Sequence, residues 1–447
     1  MRATNSTPKQ FAQTVCRELR RVKTVCPRLE ILTNLFETLF FASLRTEESE
    51  PIKVHIVYLD PDNPDPDPPP RIRNDRWKCV KLHRRIPVSV SNIVKIAKAS
   101  DPRSSSFAVY HNARGKLFIW GLVDQGTGYY NFVNYNVESA YAHPGLFQAS
   151  IAGPAHLVAY IESDKIAELN IDTLITNAQD VLSEGPVFEN LSRGVKIYLR
   201  EIRNLIDKDL QGSLKQWSNM LMFYWITSIC RVLLRIQNFR HGGAILITPD
   251  DSFNGLNVKY QLNYTRLSEA LKKHAVLKIQ RAYTGMTIIN HHLQQQHSSL
   301  PTELYRAQRL CEENLLDNQS ELDGTVWFIS LLSRVDGLIL LTPNLIVQGF
   351  GVEITYSDEP KEIYKASNTK ATRTQKIDYN HYGTRHRSMM RYCSQIPGSV
   401  GFIVSQDGIV RAVTRVKKKL IMWEDIKLHL SDFPYSKDKA DHAKKQT

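Results

Sequence analysis

The sequence predicts two folded units: an α+β unit, followed by an α/β unit with a mixed, twisted sheet flanked by helices. Three observations lead to this prediction. The chain has 447 residues, and single hydrophobic cores stop growing near about 250–300 residues. Short strand patterns rich in aromatic residues fill the first half. A long stretch of helical periodicity then separates them from a second set of apolar strands.

Residues 1–175 are predicted to form the first unit. A helix begins after Ser6-Thr7-Pro8, and a second helix follows the apolar spacing from Leu29 to Leu44. The proline-aspartate segment 60–70 is predicted to be an exposed loop, because neither a helix nor an interior strand accommodates it. The other predicted elements are one helix and four strands: Val88–Ala99, then Val54–Leu59, Phe107–His111, Lys116–Val123 and Leu157–Glu162.

Residues 176–212 are predicted to be a helical connector, and residues 213–432 the second unit. Its most apolar run, Met220–Cys230, is shorter than the roughly twenty residues that a membrane helix needs, which favours a buried core helix. The region around 265–320 is expected to be an insertion. The polar tail 433–447 is expected to be disordered.

The composition is that of a soluble globular protein, with 42% hydrophobic and 23% charged residues. The six cysteines form no Cys-x-x-Cys pair, which indicates reduced thiols. The start of the sequence shows no charged-then-apolar leader, so a cytoplasmic location is expected, with no membrane partner. The net charge of +13 attracts polyanions, but its clusters are short, which favours solvated surface over a nucleic-acid groove.

Two segments of the second unit predict a nucleotide site. Arg385 and Arg387 are planar forks suited to phosphate, and they open a helix-like stretch whose free N–H groups favour an anion. Asp336 stands between an apolar helix-like run and the strand Leu338–Leu341, where its carboxylate could hold a metal ion. A carboxylate for a metal and a basic cradle for phosphates are the parts that a nucleotide requires.

These segments resemble the signatures of the diadenylate cyclases, which join two ATP molecules into cyclic di-AMP. The family's Gly-Thr-Arg-His-Arg segment is unchanged at 383–387, and its Asp-Gly-Ala turn differs only at Leu338. His241–Thr248 is similar to the family's early glycine-alanine strand. Ser399–Ser405, followed by Gln406-Asp407-Gly408, is similar to its final strand and acidic hairpin. The family usually has glutamate where Gln406 stands.

The first half has a resemblance of its own. The run from Leu59 to Trp77, with Ala99–Ser106 and Gly115–Gln125, looks like a sensor module found ahead of diadenylate cyclase domains in bacteria, in the class called DACNV. The resemblance implies a regulatory input domain for a small molecule or a protein, and it does not identify that input. Phe118 and Trp120 belong to an aromatic-rich sheet that could line a pocket, although a plain β core is the more common role.

The cyclase resemblance implies a metal-dependent nucleotidyltransferase that uses Mg²⁺ or Mn²⁺ and acts on ATP. Because one chain has one site, two protomers would face each other in a homodimer or higher oligomer. Catalytic roles are implied for Asp336, Gly337, Arg385, His386 and Arg387, substrate-binding roles for Leu338, Gly383, Thr384 and Ser405, and metal-binding roles for Asp336 and Asp407. Thr384 is also expected to cap the helix.

Two other functions stay open. Gln406 in place of glutamate is compatible with a catalytically silent nucleotide-binding sensor. The charge of +13 is compatible with a nucleic-acid-binding protein, which the scattered clusters disfavour.

Overall fold

The computed structural model describes residues 6–64, 78–100, 104–124, 146–161, 164–176, 178–212, 214–249, 252–294, 301–406 and 408–428. Most of the proline-aspartate segment and Asp407 lie outside these residues. The chain divides into two compact units, Met1–Ala178 and Gln179–Thr447. From Gln179 onward, the segment expected to connect the units is therefore part of the second unit.

The first unit begins with two helices, α1 (Pro8–Arg21) and α2 (Leu29–Ser43). Thr7 caps α1, since its Oγ1 accepts a hydrogen bond from the Gln10 backbone N–H at 3.3 Å. The Gln10 Oε1 accepts one from the Thr7 backbone N–H at 2.8 Å, which completes a capping box. The helix start predicted from Ser-Thr-Pro is thus confirmed.

An eight-stranded sheet forms most of the rest of the first unit. After a ribbon of β1 (Thr46–Glu47) and β2 (Glu50–Pro51), the elements are β3 (Val54–Tyr58), β4 (Lys78–Pro87), α3 (Val90–Ile96), β5 (Ser105–His111), β6 (Leu117–Asp124), β7 (Phe147–Gly153), β8 (His156–Ile161), β9 (Asp164–Asn170) and β10 (Thr173–Thr176). The sheet order is β10-β9-β8-β7-β3-β5-β6-β4, in which β3 and β5 run parallel and the other neighbours antiparallel.

Phe118 and Trp120 of this sheet belong to its core. Trp120 is 2% exposed, and its Nε1 donates a hydrogen bond to the Leu59 carbonyl at 2.8 Å. Phe118 lies in the same cluster of buried side chains. The aromatic residues between 129 and 141 lie outside the described residues.

The second unit is a nine-stranded sheet with helices. Its elements are α4 (Pro186–Leu205), α5 (Lys208–Gln211), α6 (Leu214–Asn238), β11 (Gly243–Ile247), β12 (Leu256–Tyr264), α7 (Arg266–Gln294), α8 (Thr302–Leu332), β13 (Leu338–Leu341), β14 (Val347–Ile354), β15 (Ile363–Ala366), β16 (Thr374–Lys376), α9 (Thr384–Gln395), β17 (Val400–Val404), β18 (Val410–Val416) and β19 (Lys419–Trp423). The order is β12-β14-β13-β11-β17-β18-β19-β15-β16. The pairs β11/β13 and β15/β19 are parallel and the rest antiparallel, so the predicted mixed sheet is confirmed.

Helices cover both faces of this sheet. Met389 and Met390 of α9 share a buried cluster with Ala244 of β11. A Cβ on Gly243 would lie 2.7 Å from the Ile236 Cγ2 of α6. Because successive strand residues point to opposite faces, α6 and α9 lie on opposite sides of the sheet.

The region expected to be an insertion is a pair of long helices. The helices α7 and α8 lie in the chain between β12 and β13. Their packed faces are joined by the buried His274, whose Nδ1 is 3.0 Å from the Asn318 Oδ1. The Asn318 Nδ2 donates to the Ala270 carbonyl at 3.1 Å, so this amide ties the two helices together.

The apolar run Met220–Cys230 lies inside α6, which is longer than the run itself. By length and composition, α6 is the one helix among the described residues that could cross a membrane, and 67% of its most apolar 18-residue window is buried in the fold. A buried core helix passes the same test, so α6 is weak evidence for a membrane span. The cytoplasmic location stays a prediction.

Candidate functional site

Several of the sequence-predicted residues lie at one end of the second sheet. In β11, Gly243 pairs with Val404 at the end of β17, and Ile245 pairs with Ile339 of β13. Gly242 directly precedes β11, and Asp336 lies two residues before the first residue of β13, which runs parallel to β11. Because β11 and β13 are parallel neighbours and β17 runs antiparallel to β11, Asp336, Gly242 and Ser405 lie at the same end of the sheet.

The Asp-Gly turn brings the backbone close to a neighbouring strand. Gly337 has a φ of +116°, and a Cβ there would lie 2.5 Å from the Gly351 carbonyl carbon. Gly351 itself has a φ of +62°. Position 337 therefore requires glycine, and the backbone at 351 favours it. Asp336 is exposed directly before this turn, while Leu338 is 6% exposed and belongs to the core.

Asp336 lies close enough to Lys259 of β12 to influence it. The pKa of Lys259 is raised first by its hydrogen bond and ion pair with Glu353, and to a smaller extent by Asp336. Lys259 and Glu353 pair at 2.6 Å on the surface. The surroundings of Asp336 thus contain charges of both signs.

The Arg385 guanidinium lies beside the backbone of Gly242. A Cβ on Gly242, whose φ is +74°, would lie 2.8 Å from the Arg385 Nη1 and 3.0 Å from the Val404 carbonyl oxygen. The glycine therefore leaves the space that this guanidinium occupies at the ends of β11 and β17.

The start of α9 differs in one respect from the prediction. Gly383 is the N-cap, no side chain caps the helix, and Thr384 is its first helical residue. The expected capping role of Thr384 is therefore wrong. Gly383 and Thr384 are both exposed, so the first N–H groups of the helix are not covered by a capping side chain.

The structure does not bring Arg385 and Arg387 to one point. The Arg387 guanidinium lies over the Tyr379 ring, 6.0 Å from its centroid, whereas Arg385 lies at Gly242. Residues two apart on a helix face different directions, which explains the separation. The buried Nε of Arg387 has no hydrogen-bond partner among the described residues.

His386 and Ser405 are joined by Arg411, which sequence reasoning missed. The Arg411 Nη1 donates a hydrogen bond to the Ser405 Oγ and lies 3.3 Å from the His386 Nε2. The His386 ring is 5.7 Å from the Tyr382 ring, and the Tyr382 hydroxyl donates to the Glu424 Oε1 at 3.0 Å. Burial raises the pKa of Tyr382, and so does Glu424.

The site is rich in cations and poor in carboxylates. In the described part of the chain, no ion pair involves Arg385, Arg387 or Arg411. Glu424 pairs with Lys365, and Glu359 lies 3.9 Å from Arg391. A set of guanidinium groups without carboxylate partners favours an anionic ligand.

A second feature that sequence reasoning missed is a stacked aromatic pair. The rings of Tyr260 and Phe350 are 4.8 Å apart at an interplanar angle of 19°, and Tyr260 is 52% exposed. A Cβ on Gly351 would lie 3.0 Å from the Tyr260 ring. Neither β12 nor β14 was predicted from the sequence, and the pattern of a single strand does not show which residues of two distant strands meet.

Gln406 is exposed next to Ser405, and Asp407 lies outside the described residues. The described residues contain no group of three or more His, Cys, Asp or Glu that could hold a metal ion. Mg²⁺ is usually held by one or two carboxylates together with substrate phosphates, and the exposed Asp336 suits a site of that kind.

Comparison with known proteins finds a family match within the first unit. Residues 21–124 match the family described as "Probable sensor domain DACNV". No curated protein matches the chain. A similar solved structure is "the crystal structure of the hypothetical membrane spanning protein from Bacillus cereus", which is 12% identical. The match covers 54% of this chain and 91% of that chain, with a TM-score of 0.24, which carries no argument about the fold.

The fold and the match together define a class. The chain is a two-unit protein with a sensor domain at its N-terminal side and a mixed α/β sheet in its second unit. The sensor domain indicates a signalling protein.

Proposed function

We propose that the second unit is a diadenylate cyclase and that the first unit is the sensor that controls it. One observation carries the proposal: Arg385 and Arg411, both without a carboxylate partner among the described residues, lie at the same end of the sheet as Asp336. Guanidinium groups can bind the phosphates of a nucleoside triphosphate, and a carboxylate at the same end of the sheet can bind its metal ion.

The reaction would join the 3′-hydroxyl of one ATP to the α-phosphate of another, with pyrophosphate leaving, and would occur twice. Positioning and charge stabilisation supply most of the catalysis in such transfers. Arg385 would bind phosphate oxygens at the start of α9. Arg387 would also bind phosphate, from the side of that helix on which Tyr379 lies. Gly337 and Gly351 would let the nucleotide approach the backbone. Two protomers must face each other, because each chain contributes one such site.

Asp336 would hold the divalent ion. A bound Mg²⁺ or Mn²⁺ neutralises phosphate charge. With one described carboxylate in the site, the ion would enter together with the triphosphate rather than occupy a site formed by protein ligands alone.

The test is product formation by the full-length chain. We expect cyclic di-AMP when the protein is incubated with ATP and Mg²⁺ or Mn²⁺, detected by mass spectrometry. Asp336→Asn should lower the rate about 100-fold or more, because it removes a charge from the reacting centre.

The matched control is Asp317→Asn, which changes an exposed aspartate on α8 and should leave the rate unchanged. Undiminished product from Asp336→Asn would contradict the proposal. Absence of product from the unaltered chain in both metals, with ATP binding intact, would instead support the silent receptor.

That second candidate, a nucleotide-binding sensor without turnover, is favoured by Gln406. An exposed amide stands where the resembling family usually has a carboxylate. An amide has no negative charge, and binds a divalent ion more weakly than a carboxylate does.

A further inference from the structure

Arg411 stands on a rigid strand beneath the first turn of α9. It pairs with Ile403 of β17, and Ala412, the next residue, pairs with Trp423 of β19. Ile403 belongs to the buried cluster that α9 covers, and paired residues of antiparallel strands point to the same face. The sheet therefore directs the Arg411 side chain towards α9.

The contacts of Arg411 use only part of its donor capacity. One nitrogen, Nη1, reaches both Ser405 and His386. Because a guanidinium has donors only, its contact with His386 uses the lone pair of the His386 Nε2. The buried Arg411 Nε has no hydrogen-bond partner among the described residues. The Arg411 Nη2 also makes no hydrogen bond among the described residues, and a half-buried guanidinium with a free Nη2 is suited to bind an anion.

The positive charge of Arg411 is also unbalanced. Glu424 lies beside Tyr382, as Arg411 does, but Glu424 accepts from the Tyr382 hydroxyl and pairs with Lys365. No ion pair with Arg411 occurs among the described residues. Arg385 reaches the same end of the sheet from α9.

We infer that Arg411 binds the polyphosphate of the nucleotide directly and holds Ser405 and His386 in place beside it. This inference rests on the proposed function and adds a residue to its site. The Arg411 Nη2, which makes no hydrogen bond among the described residues, contacts phosphate oxygens, while Nη1 keeps its contacts with Ser405 and His386. Since the interaction is with phosphate, its strength rises with the number of phosphates and does not depend on the base.

The experiment measures the binding of inorganic pyrophosphate, AMP and ATP to the full-length chain by calorimetry. Arg411→Gln should weaken pyrophosphate and ATP about ten-fold or more, and AMP less. Arg411→Lys should recover part of the loss, because lysine keeps the charge without the planar fork. A purely structural role would weaken AMP and ATP by the same factor.

The control is Arg415→Gln on the same strand. Arg415 donates to the carbonyls of Ser394 and Lys417, at 2.9 Å and 3.1 Å, so its loss should leave all three affinities unchanged. Thermal unfolding establishes that each variant is folded. If Arg411→Gln does not fold, Arg411→Lys provides the test. We then expect this variant to bind pyrophosphate more weakly than the unaltered chain does and to bind AMP with similar affinity.

The outcomes separate the two proposals. Unchanged pyrophosphate affinity in a folded Arg411 variant, or equal losses for AMP and ATP, overturns the role of Arg411 and leaves the cyclase proposal standing. If the unaltered chain binds pyrophosphate but not ATP, the cyclase proposal is contradicted. The role of Arg411 is then tested by the pyrophosphate affinity of its variants. Binding of neither overturns both.

Discussion

At the scale of single residues, the candidate site depends on glycines as much as on charges. Gly242 leaves room for the Arg385 guanidinium, and Gly337 and Gly351 let two strands approach each other next to Asp336. In each case, a methyl group would meet an atom closer than real Cβ atoms tolerate or would require a strained backbone. The absence of a side chain at these glycines leaves the space that the charged groups occupy.

Gly337→Ala tests this dependence. We expect the free energy of unfolding to fall by about 1–3 kcal/mol, because alanine would be forced into a φ of +116° against the Gly351 backbone. Denaturant unfolding of the full-length chain measures the change. In Gly285→Ala, on α7, the added Cβ has nothing within 4 Å, so the same change should be neutral or stabilise by about 0.5–1 kcal/mol. Similar effects at both positions would refute the argument.

At the scale of elements, the helical pair α7/α8 is fastened by a buried polar group. His274 lies between Asn318 and the Tyr224 ring, 3.0 Å and 4.9 Å away. Burial, helped by the nearby Lys278, lowers the pKa of His274 to about 4. The folded state therefore holds this imidazole neutral at pH values where the unfolded chain would protonate it.

This difference predicts a pH dependence of stability. Because the folded pKa lies below the unfolded value of 6.5, the stabilisation is complete above about pH 6.5 and decreases as the pH falls towards 4. The decrease should be of the order of 3 kcal/mol. Denaturant unfolding at several pH values measures it. His274→Gln should flatten the curve in that window, whereas His292→Gln, at an exposed position of the same helix, should not. A curve that keeps its slope in His274→Gln would show that another group is responsible.

The sequence predicted helices and strands better than it predicted the contacts between them. Apolar spacing and the Ser-Thr-Pro signal predicted α1, α2 and the strands around β3, β5 and β6, because these patterns are local. The Gly-Thr-Arg-His-Arg segment predicted a helix start for the same reason. Arg411 could not be predicted, since its role depends on the pairing of β17 with β18 and on the position of α9 above them. The separation of Arg385 from Arg387 follows from helix geometry once the helix is known.

At the scale of the whole molecule, each unit has a core of its own. The first unit buries the apolar faces of α1 and α2 on its eight-stranded sheet. The second buries α9 on one face of its nine-stranded sheet and α6 on the other. Arg385, Arg411 and Asp336 all belong to the second unit. The proposed chemistry is therefore contained within residues 179–447.

Two fragments, residues 1–178 and 179–447, test this division. We expect each to unfold cooperatively, because each retains its buried clusters. Calorimetry of the fragments and of the full-length chain compares the transitions, which should agree within about 4 °C if less than about 1 kcal/mol is lost by cutting. The second fragment should bind pyrophosphate as the full-length chain does. Failure of either fragment to unfold cooperatively would show that the units depend on each other.

The contact between Gly242 and Arg385 has a consequence for evolution. A side chain at 242 would displace the Arg385 guanidinium from its present position, because the first carbon of any replacement would lie 2.8 Å from the guanidinium nitrogen. A lineage that loses the arginine is released from that steric constraint, although a φ of +74° still disfavours most residues. Substitution at 242 should therefore be accompanied by a shift or a loss of the Arg385 side chain. Descendants that have lost the proposed phosphate binding would be recognisable by changes at both positions.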